Sequence, residues 1–360
     1  MKIAIVFGTR PQFIKLAPLI LENKKTPKSI DFTLINTGQH YDPGLSKLFM
    51  TQLGLPQFAY DFTSLAQGSR PSLGRMLGWI EEALQEIAPD LVIVFGDTDS
   101  TLAGALAANK YGAGLVHVEA GLRSWNRNMP EEINRILVDH MSDLLCAPNN
   151  SAVENLVAEG VDISRIENTG DIALASLSVF QTMIKKPTFP LNQSDFILIT
   201  LHRKTLLDRL NFLEKVLTEL EGIGSSRNIV WPMHPHVEAV LKKLGRRVEN
   251  INTVEPQGYL EMLWLLKSCI GIITDSGGIQ KEAHFFGKPC LIMREETEWR
   301  ELLDGENVRL VDLSFSTTLE QQWTALMNSR SKNIQPRASV FEASDPAKLL
   351  TTIKNFFTLK

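Results

Sequence analysis

Four carboxylates stand where strands hand over to helices in the first half of the chain. Asp97 ends the run "VFGDTDSTLAG", Glu119 ends "LVHVEAGLR", and Glu131 and Glu132 follow Pro130 in "SWNRNMPEEINRILVDH". Acids at such places either cap helices or hold and move protons. Asp97, Thr98 or Asp99 can each cap the next helix, and a helix dipole alone accounts for one acid at 131–132. Two acids there, with Asp97 and Glu119 on neighbouring loops, exceed what capping requires. Glu119 is expected at the carboxyl end of a strand, on the same face as His117 two residues earlier. An acid is costly to bury there without purpose. Such a set suits general acid–base chemistry.

Other residues are suited to anions. In "GTRPQFIK", Gly8 permits a tight turn and Pro11 suits the first turn of a helix. Arg10 and Lys15 then flank a helix start that already attracts anions, or are two surface cations on an amphipathic helix. In the second half, "ITDSGGIQKEA" runs a strand into Asp-Ser-Gly-Gly and then a helix. Ser276, Gly277 and Gly278 form either a phosphate cradle without the Walker lysine spacing or an ordinary glycine-rich turn. Glu282, one helical turn beyond Gly278, has the reach to accept hydrogen bonds from ribose hydroxyls, while Lys281 is expected to face solvent. His202 follows the strand "FILIT". The "HPH" at 234–236 has no third ligand at a recognisable spacing, so no metal is expected.

The elements that must position these groups alternate. "KIAIVFG", "DFTLINT", "LVIVFGD", "GLVHVEA" and "DLLCAP" read as strands, with amphipathic stretches such as "PSLGRMLGWIEEALQEIA" between them. That alternation implies βαβ units and a parallel sheet, and the near-continuous apolar runs fit strands covered on both faces. The pattern weakens over 172–195. It then resumes with "FILITL", "NIVWPM", "INTVEP", "IGIITD", "PCLIMR" and "NVRLVD". The reading is α/β: two doubly wound Rossmann-like domains, 1–175 and 176–343, with a cleft between them. A final helix over 344–360 is expected to pack back on the first domain.

Composition excludes several function classes. The 360 residues suffice for two domains, and 44% hydrophobic with 22% charged content is that of a soluble globular protein. A net charge of −4, from 37 basic and 41 acidic residues, gives no pull toward nucleic acid or an anionic membrane. Three cysteines without metal spacing, Cys146, Cys269 and Cys290, lie in apolar runs and read as reduced core thiols of a cytoplasmic protein. The opening "MKIAIVFGTR" has about five apolar residues before its glycine, too few for a signal peptide. No run reaches the roughly 18 apolar residues of a membrane span.

In order, "FGTRPQFIK", "FGDTDSTLAGALAA", "HVEAGLRS", "MPEEINR", "LHR", "MHP" and "ITDSGGIQKEA" resemble the motifs of the bacterial non-hydrolysing UDP-N-acetylglucosamine 2-epimerases, over nearly the whole chain. The resemblance implies a glycosyltransferase-B type fold with a UDP-sugar in the interdomain cleft. It implies catalytic roles for Asp97, Glu119, Glu131 and His202. UDP contacts are implied for Arg10, Lys15, Gln257, Ser276, Gly277, Gly278 and Glu282, with Met262 standing where the family has a Phe beside the uracil. It implies a homodimer, no cofactor, and interconversion of UDP-GlcNAc and UDP-ManNAc for cell-surface polysaccharide precursors. The reaction eliminates UDP to a 2-acetamidoglycal and adds it back, so protons must be handled on both faces of carbon 2. That needs at least two acids, and leaves Glu132 as a helix-start or structural acid.

Departures narrow the expectation. "GQHYDPGLSKLF" lacks the family's Gln-His-Arg form, so activation by a second UDP-sugar is not expected. "TEWR" puts Trp299 at the position of a phosphate-contacting arginine, with Arg300 beside it. "HRKT" lacks the acid that often follows His-Arg, and "TGDIALASL" differs from the common Thr-Gly-Asn form. With "GLRSWNRNMPEEINR", these features are closer to the branch that includes epimerases of 2,3-diacetamido uronic acid UDP-sugars. A hydrolysing epimerase, a glycosyltransferase and a UDP-sugar sensor are the rival classes.

Overall fold

The apolar runs become strands buried between helices. In a computed structural model, which describes residues 1–25, 30–39, 55–66, 70–191, 195–297, 299–304, 307–329 and 342–358, the run LVIVF at 91–95 is buried at every residue, as a strand covered on both faces must be. The chain divides into two units, Met1–Phe180 with Phe341–Lys360, and Gln181–Val340.

The first unit carries strands β1 (Lys2–Phe7), β2 (Asp31–Asn36), β3 (Tyr60–Asp61), β4 (Leu91–Phe95), β5 (Gly114–Val118), β6 (Leu144–Ala147) and β7 (Ile166–Asn168). Their order is β3-β2-β1-β4-β5-β6-β7, every pair parallel. Between them run α1 (Arg10–Lys25), α2 (Leu73–Ile87), α3 (Asp99–Tyr111), α4 (Pro130–Met141), α5 (Asn150–Ala158) and α6 (Ile172–Phe180). Met76, Ile80 and Leu84 of α2 and the alanine-rich face of α3 close over Val6, Val92 and Val94. The small residues of α3 let it lie close to the sheet. β3 and β7, with two and three residues, extend the sheet beyond the five strands expected, and are too short to stand out as apolar runs.

The second unit holds β8 (Phe196–Thr200), β9 (Asn228–Pro232), β10 (Asn252–Val254), β11 (Gly271–Thr274), β12 (Cys290–Ile292) and β13 (Val308–Leu310). All six answer to an expected strand. The order β10-β9-β8-β11-β12-β13 is again all parallel. The helices are α7 (Lys204–Leu207), α8 (Leu210–Gly224), α9 (Pro235–Lys243), α10 (Tyr259–Ser268), α11 (Gly277–Phe285) and α12 (Leu319–Asn328). Trp231, Leu217 and Trp323 centre the core of this unit. The last helix, α13 (Pro346–Thr358), belongs to the first unit and packs on α1.

Both sheets repeat one doubly wound pattern, in which strand order reverses between the first strand of the unit and its fourth. Those switch points are β1/β4 and β8/β11. Each of the three cysteines is a buried thiol; burial pushes Cys269 up to about 12. No described helix is long and apolar enough to cross a membrane.

Candidate active site

At the β1/β4 switch point, the cap of α3 is Thr98. Its hydroxyl accepts from the Thr101 amide, and the Thr101 side chain returns to the Thr98 amide. Asp97 is thereby freed from capping. Its Oδ2 accepts from Nε of Arg135 at 2.9 Å and from Nη2 at 2.6 Å. Arg135 also donates from Nη1 to Oε2 of Glu132 at 2.6 Å. The Glu132 carboxylate further accepts from the Ser124 amide at 2.9 Å and the Trp125 amide at 2.8 Å. Burial opposes its charge, but the two amides and Arg135 outweigh that and hold Glu132 below the usual carboxylate range. Both oxygens are occupied within the protein, as in a structural acid. Glu131, one residue earlier, is exposed in the first turn of α4.

Glu119 lies one residue past β5 and takes a left-handed backbone, φ 74°. The alternation of the strand therefore stops at Val118, and Glu119 does not extend the face that carries His117. Its amide and that of Ala120 both donate to the Cys146 carbonyl, at 3.0 and 3.1 Å. The buried Glu119 carboxylate forms an ion pair with Lys15 Nζ. Gly96 sits against this pair: a Cβ there would lie 3.3 Å from both Glu119 Oε2 and Lys15 Nζ. Asp97 thus leaves from the residue that touches the Lys15–Glu119 pair. Gln12 binds the β1 and β4 ends together, accepting from the Gly8 amide at 2.9 Å and donating to the Phe95 carbonyl at 2.9 Å. Arg10 is half-buried at the first residue of α1. Gly8 is needed for room, since a Cβ would come within 1.9 Å of Thr37 Oγ1 and 2.4 Å of Ser100 Oγ.

At the β8/β11 switch point, buried Asp275 joins two loops. Its Oδ2 accepts from the His202 amide at 2.9 Å and the Arg203 amide at 2.8 Å, and its Oδ1 lies 3.2 Å from His202 Nδ1. The His202 side chain stays 44% exposed. Ser276 caps α11 by accepting from the Ile279 amide. In front of Gly278 a Cβ would meet nothing closer than Ser276 Oγ at 4.0 Å, so the turn opens onto free space. Glu282 is half-buried two residues after Gln280, whose side chain accepts from Thr297 Oγ1 at 2.6 Å. Gln257 donates to the Glu255 carbonyl at 2.7 Å, just before α10. Met262 is buried in α10.

Lys281 does not face solvent. It is 4% exposed and places Nζ 3.9 Å from the centre of the Trp299 ring, itself 4% exposed. The helical period leaves Lys281 on an outer face, but the segment after β12 folds over that face. Trp299 is interior and Arg300 exposed. Residues 40–49 of "GQHYDPGLSKLF" lie outside the described residues, as does Glu298. His234 comes within 6.1 Å of His202, ring to ring, and caps α9. Among the described residues no group of three or more His, Cys, Asp or Glu is placed to hold a metal ion.

Sequence reasoning passed over Arg135 and Asp275. Each is the partner of a candidate site residue and lies at least 38 positions away in sequence. The sequence signal was weak in both cases: an arginine inside "EEINR", and an aspartate read only as part of a glycine-rich turn. The first switch point offers two acid–cation pairs, equipment for moving protons beside an anion. The second offers a helix start, free backbone and a histidine, equipment for holding one.

Comparison with known proteins places the chain in a family. A family model described as UDP-N-acetylglucosamine 2-epimerase matches residues 22–352. The UDP-2,3-diacetamido-2,3-dideoxy-D-glucuronate 2-epimerase of Pseudomonas aeruginosa is 42% identical over 91% of this chain and 92% of its own. A UDP-N-acetylglucosamine 2-epimerase of Methanococcus maripaludis is 40% identical over 84% and 86%. The solved structure of Methanocaldococcus jannaschii UDP-GlcNAc 2-epimerase with UDP-GlcNAc and UDP superposes with a TM-score of 0.83 at 33% identity, covering 99% of this chain and 100% of that one. The chain belongs to the UDP-N-acetylglucosamine 2-epimerase family.

Proposed function

We propose that this chain is a cytoplasmic, homodimeric UDP-sugar 2-epimerase that interconverts UDP-GlcNAc and UDP-ManNAc. The observation that carries the reading is the pair of acid–cation sets on adjacent strand ends: Asp97 with Arg135 after β4, and Glu119 with Lys15 after β5. One acid takes the proton from carbon 2 while the bond from carbon 1 to the diphosphate oxygen breaks. The C–H electrons become the C1=C2 double bond of the glycal, and UDP leaves with the bonding pair. Addition runs in reverse, with the proton delivered to the opposite face by a second acid. Asp97, Glu119 and Glu131 handle protons, and His202 completes the catalytic set. Arg10, Lys15 and the Ser276–Gly278 turn hold UDP, Glu282 its ribose, and Gln257 and Met262 the uracil side. Well-placed donors of this kind contribute about 3–4 kcal/mol each to a developing anion. No cofactor is called for, because elimination and re-addition of UDP involve no hydride transfer.

The 42% relative and Trp299 favour a second substrate, a UDP-2,3-diacetamido uronic acid. The test is acceptor-free incubation with each UDP-sugar, with products resolved by NMR. UDP-ManNAc from UDP-GlcNAc supports the first reading, and faster epimerisation of the diacetamido uronic sugar moves the substrate to the second. Release of free ManNAc identifies a hydrolysing enzyme, and an unchanged UDP-sugar points to a transferase or sensor.

A further inference from the structure

His117 takes no part in the acid set, yet it is fully buried and bonded on both sides. Its Nε2 donates to the Gly96 carbonyl at 2.7 Å, and Nδ1 meets Asp139 Oδ1 at 2.6 Å. Gly96 is the left-handed residue, φ 64°, from which Asp97 departs. Asp139, on α4, accepts at Oδ2 from the Gly121 amide at 3.1 Å and lies 2.7 Å from Arg123 Nη1. Gly121, φ 82°, is in the loop that opens with Glu119. Arg123 is anchored in turn by Glu159, from Nε and Nη2 at 2.7 Å each. Burial disfavours the Asp139 charge, but His117 and Arg123 outweigh it and hold the carboxyl below its usual range. One buried imidazole and one buried carboxylate therefore tie the Asp97 loop, the Glu119 loop and α4 to each other. Three residues in the left-handed region, Gly96, Glu119 and Gly121, meet at this tie. The two glycines adopt it freely, whereas for Glu119 such backbone persists only where its surroundings over-determine it.

We infer that His117 and Asp139 are positioning residues, which set the Asp97 and Glu119 carboxylates relative to each other on the two faces of carbon 2. The inference rests on the epimerase reading above. A misplacement of about 1 Å from a change behind the reacting groups can cost about 10²-fold in rate. The two bonds of His117 can be separated by side-chain length. His117→Asn offers an amide near the Nδ1 position, keeping Asp139 and abandoning the Gly96 carbonyl. His117→Gln offers one near the Nε2 position, keeping Gly96 and abandoning Asp139, which retains Gly121 and Arg123.

The test measures kcat, KM, free UDP released per epimerisation and carbon 2 deuterium uptake, with rates scaled to the folded fraction. His117→Asn is expected to lose about 10²-fold in kcat at near-parental KM and UDP affinity, and to release more UDP per turnover. His117→Gln is expected to recover most of the rate. A purely structural role lowers the folded fraction and leaves kcat per folded molecule and the UDP release ratio at parental values; that result overturns the inference. If His117→Asn does not fold, Asp139→Asn, which weakens the hold on Gly121 and Arg123 that His117→Gln leaves intact, must lower kcat per folded molecule. Parental turnover by folded Asp139→Asn likewise overturns it. Parent protein that exchanges at carbon 2 beside unaffected variants removes this inference alone. Parent protein that neither epimerises nor exchanges removes the epimerase reading as well.

Discussion

The two switch points share a strand order and differ in the groups placed at the strand ends. After β1, β4 and β5 the chain places charged side chains against each other: Lys15 with Glu119, and Arg135 with Asp97. After β8 and β11 it places backbone and a half-exposed histidine, with a buried acid, Asp275, turned onto the amides of 202 and 203. The glycines divide the same way. The absent Cβ of Gly8 is space the protein fills, whereas that of Gly278 faces open space. A doubly wound sheet fixes where a ligand meets the protein. The residues just past the strands then decide whether that place moves protons or holds an anion.

The largest effects should come from the proton-handling side. Asp97→Asn, Glu119→Gln and Glu131→Gln keep shape, and each is expected to fold and to lower turnover about 10²–10⁴-fold, with the thermal midpoint falling where a cation loses its partner, Lys15 or Arg135. Steady-state kinetics beside calorimetry check this, and near-normal turnover in all three ends the proton-handling assignment. On the holding side, Glu282→Ala should weaken UDP about 10- to 150-fold, the worth of a charged acceptor on hydroxyls. Equal UDP affinity by calorimetry takes Glu282 out of the site.

The glycines sharpen the contrast. Gly8→Ala must push apart the Thr37 and Ser100 hydroxyls, bonded at 2.7 Å, and should destabilise by about 1–3 kcal/mol as overpacking does. Gly278→Ala should leave the denaturation midpoint almost unchanged and reduce UDP affinity. Opposite outcomes for the pair would erase the distinction drawn between the two turns.

Acid should also act on the buried carboxyls of the first unit. Glu132 and Asp139 are both held below their ordinary values of 4.5 and 3.8. A depressed carboxyl stabilises the fold above its unfolded value, and that stabilisation is lost as pH falls through the folded one. Urea midpoints should therefore drop below about pH 4.5, and less steeply in Glu132→Gln, which has no proton to gain there. The smallest effect is expected of Lys281→Ala, which removes a buried cation from the Trp299 ring and should cost about 0.5–2 kcal/mol; unchanged stability and tryptophan emission would count against that contact.

Much of the scaffold was legible because long apolar runs have few other places to go. β1, β4 and β8 could be read directly, whereas Tyr60–Asp61 and Ile166–Asn168 are strands only because a neighbour offers an edge. The places of Asp97 and Glu119 just past strand ends could be read from the apolar runs before them. Their partners could not, since Lys15 and Glu119 are 104 residues apart and Asp97 and Arg135 are 38 apart. Such pairs arise from strand order, which no local pattern contains. Lys281 was misjudged for a related reason: a helical period describes one helix and says nothing of the segment that later covers it.

The central claim is that the first switch point moves a proton at carbon 2 while the second holds the departed UDP. It is tested most directly by turning over the UDP-sugar in heavy water and reading carbon 2 by NMR. The account predicts deuterium at carbon 2 of the epimerised product, with slow release of free UDP that rises when Arg10→Ala weakens the hold. Epimerised product with its carbon 2 protium fully retained would contradict elimination through solvent-exchanging acids.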